Sequence, residues 1–264
     1  MDNKTGEMKK VLVIGDGCKD VFQYGKCERL SPEAPVPIFT PTKNSNNGGM
    51  AVNVYNNLVS LGIECDILTE SGITKTRYVD ETSNQMLLRI DERDVIKNID
   101  ENQLRSIEFD KYYAIVISDY NKGFLDEHDI EYISIRHPLV FMDTKKKMGD
   151  WCNSVTVIKV NEKEYLRNQA WLDYMFEDVV VVTLGDRGAK YSHLKKKIKE
   201  QLFPIVEEHP VRDLTGAGDT FLAALVAKFI ENSDICEAIK FANKCSAWAV
   251  TQKGVSVVDL NKIK

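Results

Sequence analysis

Nine residues near the C-terminus, Asp213-Leu-Thr-Gly-Ala-Gly-Asp-Thr-Phe221, combine an anion site with an acid beside it. Gly216 and Gly218 let the backbone turn tightly and, with Ala217, present N–H groups. The apolar stretch Leu222 to Ile230 reads as a helix, whose N-terminus adds free N–H groups and a favourable dipole. Asp219 falls in the first turn of that helix and would repel a phosphate unless it has a task. Taking a proton from an attacking hydroxyl is such a task; capping the helix is the plainer alternative. The glycine spacing is not that of a P-loop, which needs Gly-Lys followed by Ser or Thr. The six cysteines include no Cys-x-x-Cys pair and read as reduced thiols. His128, His137, His193 and His209 are scattered and carry no assigned chemistry, and Lys145 to Lys147 faces either phosphate or solvent.

These residues need a frame, and the sequence alternates strand and helix signals. Lys10–Gly15 reads as a buried first strand, Cys65–Thr69 as another, and Thr74–Asp80 with Gln85–Ile90 as a hairpin turning at Glu81–Asn84. The runs at 112–118, 140–143, 155–160 and 179–184 are continuously apolar, as parallel strands covered on both faces are. Helices are expected over 50–61, 101–109, 125–136, 162–176, 218–231 and 235–251. Four prolines flank or interrupt Val36–Thr40, which makes it an edge strand or part of a lid. Lys195–Lys199 reads as a solvated hairpin turn. The order predicts an α/β fold, a doubly wound, mainly parallel sheet with a small β lid near residues 20–42 and 73–91. With 264 residues, one domain over 1–264 is expected. A net charge of −5 argues against a general nucleic-acid binder. No apolar run reaches the length of a membrane span, and the polar stretch Met1–Lys10 carries no secretory signal, so a cytoplasmic location is expected.

Asp213 to Phe221 resembles the C-terminal signature of the ribokinase-like, PfkB-type sugar kinases, and further segments match in order. Gly15-Asp16 resembles that family's substrate-binding acid. Gly48-Gly49-Met-Ala-Val-Asn53 resembles its Gly-Gly-x-Ala-x-Asn segment, whose glycines and Asn contact sugar. Asn161-Glu-Lys-Glu164 resembles the Asn-x-x-Glu implicated in Mg²⁺ and phosphate handling, and Thr183-Leu-Gly185-Asp-Arg-Gly188 resembles the nucleotide-side motif. Asn243 falls where the family contacts nucleotide. Arg29 to Pro37, Tyr24-Gly25, Ile73 to Arg77, Gln85 to Arg89, Ser118 to Gly123 and Asp143-Thr-Lys145 resemble the heptose-7-phosphate kinase branch.

The resemblance implies ATP as phosphoryl donor, Mg²⁺ bridging its phosphates with Glu164 as the metal-associated carboxylate, and room for a monovalent cation. It implies Asp219 as base and Gly216, Ala217 and Gly218 as the anion hole. Asn161, Glu164, Thr183, Gly185, Gly188, Asp213 and Asn243 fall to the nucleotide. Asp16, Gly48, Gly49 and Asn53 fall to the sugar, with Arg77, Arg89 and Lys145 as candidate cations for a sugar phosphate. The acceptor implied is D-glycero-D-manno-heptose 7-phosphate at C1; another sugar or nucleoside, or a low-turnover binding regulator, are the alternatives. Two lids are expected to pack into a homodimer, with neither nucleic acid nor membrane as partner. The chain departs from the family by a gap of about one αβ unit between Glu70 and Ile73, by a shortened stretch at Arg167–Glu177 and by Val160 in place of Pro. No nucleotidyltransferase module follows Lys264, so the second activity of bifunctional relatives is not expected.

Overall fold

The computed structural model describes residues 9–205 and 210–263; the Met1–Lys10 reading falls mostly outside them, and His209 wholly so. Ten strands form one sheet. Its long path is built from β1 (Val11–Lys26), β3 (Cys65–Asp80), β4 (Met86–Glu92), β5 (Ala114–Asp119), β6 (Val140–Thr144), β7 (Val157–Asn161), β8 (Val179–Thr183), β9 (Ala189–His193) and β10 (Ile198–Phe203). The order is β10-β9-β8-β7-β6-β5-β1-β3-β4, with β2 (Thr40–Met50) paired to β1. Pairing is parallel from β3 through β8 and antiparallel at β8–β9, β9–β10, β3–β4 and β1–β2. The doubly wound expectation holds.

Alternation along the central strands builds two cores. Val11, Val13, Ala114 and Val116 face α1 (Ala51–Ser60), α5 (Ala217–Asn232) and α6 (Ile235–Ala249). Leu12, Ile14, Ile115 and Ile117 face α2 (Glu101–Arg105), α3 (Glu127–Arg136) and α4 (Glu162–Tyr174). Such strands are apolar at every position because both faces are covered. The Asp126 and Asn161 side chains start α3 and α4 through reciprocal capping boxes.

β1 and β3 each run from the centre of the sheet out into the lid. Gly15 and Asp16 look like a strand end, yet β1 runs on for ten residues past Asp16. A Cβ on Gly15 would lie 2.0 Å from the Ser118 carbonyl oxygen, so this glycine permits close packing on β5 rather than a turn. β3 passes Glu70–Ile73 as one strand and pairs parallel with β1 on both sides, the register shifting by one residue between Asp16 and Cys18. The outer halves of β1 and β3, flanked by β2 and β4, form the lid. The Val36 segment is not a lid strand: only Leu30 and Pro37 bridge, and Val36 is exposed. Prolines in it remove the donors a ladder needs. A bulge at Tyr78/Val79 also shifts the hairpin, so Arg77 opposes Arg89 and Val79 opposes Met86. Met86 thereby joins the face of Arg89 and leaves that of Leu88 and Ile90.

Candidate active site

The C-terminal ends of β5, β6, β7 and β8 converge with the N-terminus of α5, the position where open α/β sheets place their ligand crevice. Gly216 is the N-cap of α5 with φ 80° and no side-chain cap, so the first-turn N–H groups keep no side-chain acceptor. The left-handed angle belongs to Gly216; Gly218 sits tightly against Lys159, whose Nζ would lie 3.1 Å from a Cβ there. Asp219 is 4% exposed, and burial pushes its carboxyl up to about 6. Tyr120 Oη donates to Asp219 Oδ1 at 2.7 Å, and Asn53 Nδ2 donates to Oδ2 at 3.1 Å and reaches the Gly216 carbonyl at 3.3 Å. Asp219, Gly216, Gly218 and Asn53 thus meet at the start of α5.

A buried ion network underlies this helix end. Lys159, on β7, is 2% exposed and holds Asp143 Oδ2 at 2.6 Å. Lys145 takes Asp143 Oδ1 at 2.8 Å and Glu164 Oε1 at 2.7 Å. Burial opposes ionising Asp143, but the two ammonium groups outweigh it and hold the carboxyl at about 2. Lys145 therefore belongs to the ion network beneath the α5 N-terminus and not to the lid. The other Glu164 oxygen accepts the Asn161 N–H at 2.9 Å, and Asn161 Oδ1 returns the bond, so both residues form the α4 cap.

Asp16 is not placed to bind sugar. It is fully buried, with Oδ2 accepting the Tyr120 and Lys122 N–H groups and Oδ1 that of Phe124, and burial raises its pKa. It anchors the loop carrying Tyr120. Asp20, further out on β1, is also buried, paired with Arg77 and close enough to Gly49 that a Cβ there would lie 2.2 Å from Oδ2. Gly48 instead makes room for Val52. Asp213 accepts from Thr215 N and Gly254 N and so shapes the glycine loop. Thr183 ends β8 opposite Asn161, and Gly185 and Gly188, at φ 66° and 89°, turn the chain into β9. Asn243 is buried and donates to the Phe203 carbonyl at 2.8 Å, joining α6 to β10 rather than standing open to nucleotide.

Arg77 and Arg89 share a cleft of about 680 Å³ with Arg212 and Lys253, between the lid and the Asp213–Thr215 loop. Arg89 is also bidentate on Asp91, at 2.6 and 2.5 Å. Sequence reasoning missed Asp20, Tyr120 and Lys159. Lys159 had a signal: a lysine inside the apolar run 155–160 must find a buried carboxylate. Asp20 had none once the strand was ended at Gly15.

The pfkB family carbohydrate kinase model matches residues 133–262. The bifunctional protein HldE of Helicobacter pylori strain J99 is 31% identical over 310 aligned positions, covering 97% of this chain and 66% of the relative. The chain belongs to the pfkB family of carbohydrate kinases. A second HldE protein, from a Nitratiruptor species, is 29% identical over 97% of this chain and 64% of its own length. The chain thus spans just under two thirds of these relatives, and the 310 aligned positions exceed its 264 residues, so the alignment opens gaps in this chain. Ribokinase from Thermotoga maritima superposes with TM-score 0.72 at 15% identity, covering 96% of this chain and 97% of that one. Escherichia coli phosphofructokinase-2 in complex with potassium gives 0.72 at 16%, covering 97% of each. The fold is ribokinase-like. Among the described residues no helix is long and apolar enough to cross a membrane.

A metal carried in by the nucleotide would ask for few ligands from the protein. Magnesium held that way keeps phosphate oxygens and water and needs only one or two carboxylates. Among the described residues no cluster of three or more acidic, His or Cys ligands exists for a resident ion. Glu164, already neutralised by Lys145, is the carboxylate at the α4 terminus.

Proposed function

We propose that this chain works as one ATP-dependent kinase domain that phosphorylates a sugar phosphate, with D-glycero-D-manno-heptose 7-phosphate at C1 as the preferred acceptor. The carrying observation is Asp219: a buried acid, raised to about 6, beside an uncapped helix N-terminus. Such a group is ionised at neutral pH yet basic enough to take a proton from an attacking hydroxyl. That hydroxyl oxygen forms its bond to the γ-phosphorus as the bond to the β–γ bridging oxygen breaks, and ADP leaves. The N–H groups of Gly216, Ala217 and Gly218 take up charge on the phosphoryl oxygens, with the Lys159 ammonium beneath Gly218. Glu164 is the residue that would hold a magnesium ion bound with ATP, and such an ion would supply neutralising charge to the phosphates. A monovalent cation, like the potassium named for the E. coli structure, is a further cofactor to test. Asp20, Gly49 and Asn53 orient the sugar.

The phosphate end of the acceptor falls to the lid cleft. A phosphate dianion needs local cations, because burying it unpaired is prohibitive. Arg89, Lys253, Arg212 and Arg77 line the cleft in a chain whose net charge is −5. The heptose assignment adds to this the motif resemblance and the HldE relatives. One observation favours a second reading, an unphosphorylated sugar or nucleoside: Arg77 and Arg89 already hold Asp20 and Asp91. Arg89→Ala and Lys253→Ala separate the readings. Each is expected to raise KM for the sugar phosphate about tenfold, the worth of one charge-assisted contact, while KM for ATP stays put. Arg77→Ala is a poorer test, since it strands buried Asp20. Preference for a free sugar, untouched by either variant, would move the assignment to the second reading.

We further infer a homodimer through the lid, in the cytoplasm where ATP is at hand. β4 is exposed along its length, and Leu88 and Ile90 stand on the face turned from the cleft.

A further inference from the structure

Tyr120 lies just past β5, where the chain leaves the sheet, and four contacts fix it. Its backbone N–H is held by Asp16 Oδ2 at 2.7 Å. Its hydroxyl donates to Asp219 Oδ1 at 2.7 Å. Lys75 Nζ, from the lid half of β3, stands 6.0 Å from its ring centroid, and Lys145 Nζ stands 5.1 Å away. Ring packing alone would be met by phenylalanine; among the described residues the hydroxyl has one hydrogen-bond partner, and that partner is the acid beside the anion hole. Burial holds the phenol well above its ordinary pKa, so it stays a donor whenever Asp219 is ionised. Asn53 holds the other oxygen of the same carboxylate. Two donors on two oxygens fix the carboxylate plane, and each oxygen keeps a lone pair for an incoming hydroxyl.

We propose that Tyr120 is a positioning residue that orients the Asp219 carboxylate toward the acceptor hydroxyl. The proposal rests on the reading of Asp219 as the base. The other groups facing Asp219 are Asp143 on β6, Lys159 on β7 and Cys18 on β1, none of which contacts the Tyr120 hydroxyl as a hydrogen-bond partner. Removing that hydroxyl therefore changes one interaction of the base.

The test is Tyr120→Phe, which keeps the ring between the two lysines. Expected are a fall in kcat of about tenfold or more, the rate equivalent of one lost hydrogen bond to a charged group, and a KM for ATP within about twofold of wild type. The acidic limb of kcat/KM should move to higher pH, because the carboxylate loses a donor that favours its charged form. The same shift should appear in a ¹³C titration of the Asp219 carboxyl, assigned by its loss in Asp219→Asn. That titration uses no substrate, so it reads the Tyr120–Asp219 link even if the acceptor, or the kinase reading itself, is wrong. If Tyr120→Phe does not fold, wild-type protein carrying 3-fluorotyrosine takes its place; the stronger donor should lower the Asp219 titration. An unmoved carboxyl titration, or unchanged kcat with an unmoved acidic limb, would overturn the proposal.

Discussion

Asp219 carries the heaviest demand on a single residue, and two outcomes follow from its surroundings. Asp219→Asn keeps the shape but cannot take a proton, so phosphoryl transfer should fall by roughly 10²–10⁴ while ATP still binds. Initial rates with ATP affinity measured alongside check this; turnover within threefold of wild type would remove Asp219 from the base role. The folded-state carboxyl sits near 6, above its ordinary value, so activity requiring the ionised form should be full above that pH and decline as pH drops through it. A pH–rate profile with its acidic limb near an ordinary carboxylate value would contradict the burial argument. Gly218→Val should impair nucleotide use, because the new side chain would press on Lys159 Nζ, 3.1 Å from the Cβ position. An unchanged KM for ATP in the folded variant would place the anion hole elsewhere. Legibility at this scale divided by mechanism. Asp219 and its glycines stood out because a short local pattern encodes them. Asp16 misled because a carboxylate beside a glycine at a strand end looks like a site in either role; only the three backbone N–H groups converging on it, over a hundred residues away in the chain, show that it holds a loop.

Among the elements, the central strands and the later helices were readable within a residue or two, since continuous apolar runs and clear N-caps are local signals. The differences lie where one strand runs from the centre of the sheet into the lid. β1 and β3 were each ended early because glycine and polar residues mark the crossing from core to lid, and register between distant strands leaves no local trace. The reversed error occurred at Val36–Thr40, where alternation suggested a strand that the prolines prevent. Asn161 offers an element-scale test, since it both caps α4 and was assigned to nucleotide. Asn161→Ala should cost about 1 kcal/mol of stability through the lost cap. Asn161→Asp keeps an N-cap acceptor and should stay within about 0.5 kcal/mol. If KM for ATP rises in the aspartate variant while its unfolding midpoint holds, the residue meets the nucleotide as well as the helix; parallel losses in both variants would leave it a cap alone.

For the molecule as a whole, the doubly wound plan and its lid followed from element order, but the cation-lined cleft did not. Arg212 and Lys253 come from loops far from Arg77 and Arg89 in sequence, and only the closed fold puts the four together. The exposed apolar face of β4 leads to an expected homodimer, because a few-stranded lid is marginal alone. Light scattering should give twice the chain mass at micromolar concentration, and monomer mass throughout would refute lid pairing. The central claim is phosphoryl transfer from ATP to a sugar phosphate, and one measurement meets it directly. The purified chain is incubated with ATP, Mg²⁺ and, separately, heptose 7-phosphate, other sugar phosphates, free sugars and nucleosides, and products are read by ³¹P NMR beside an Asp219→Asn control. The expected result is a sugar bisphosphate with its new phosphate on C1, formed fastest from the heptose and absent in the control. ADP formation without any phosphorylated acceptor, or product formed equally by the control, would contradict the account.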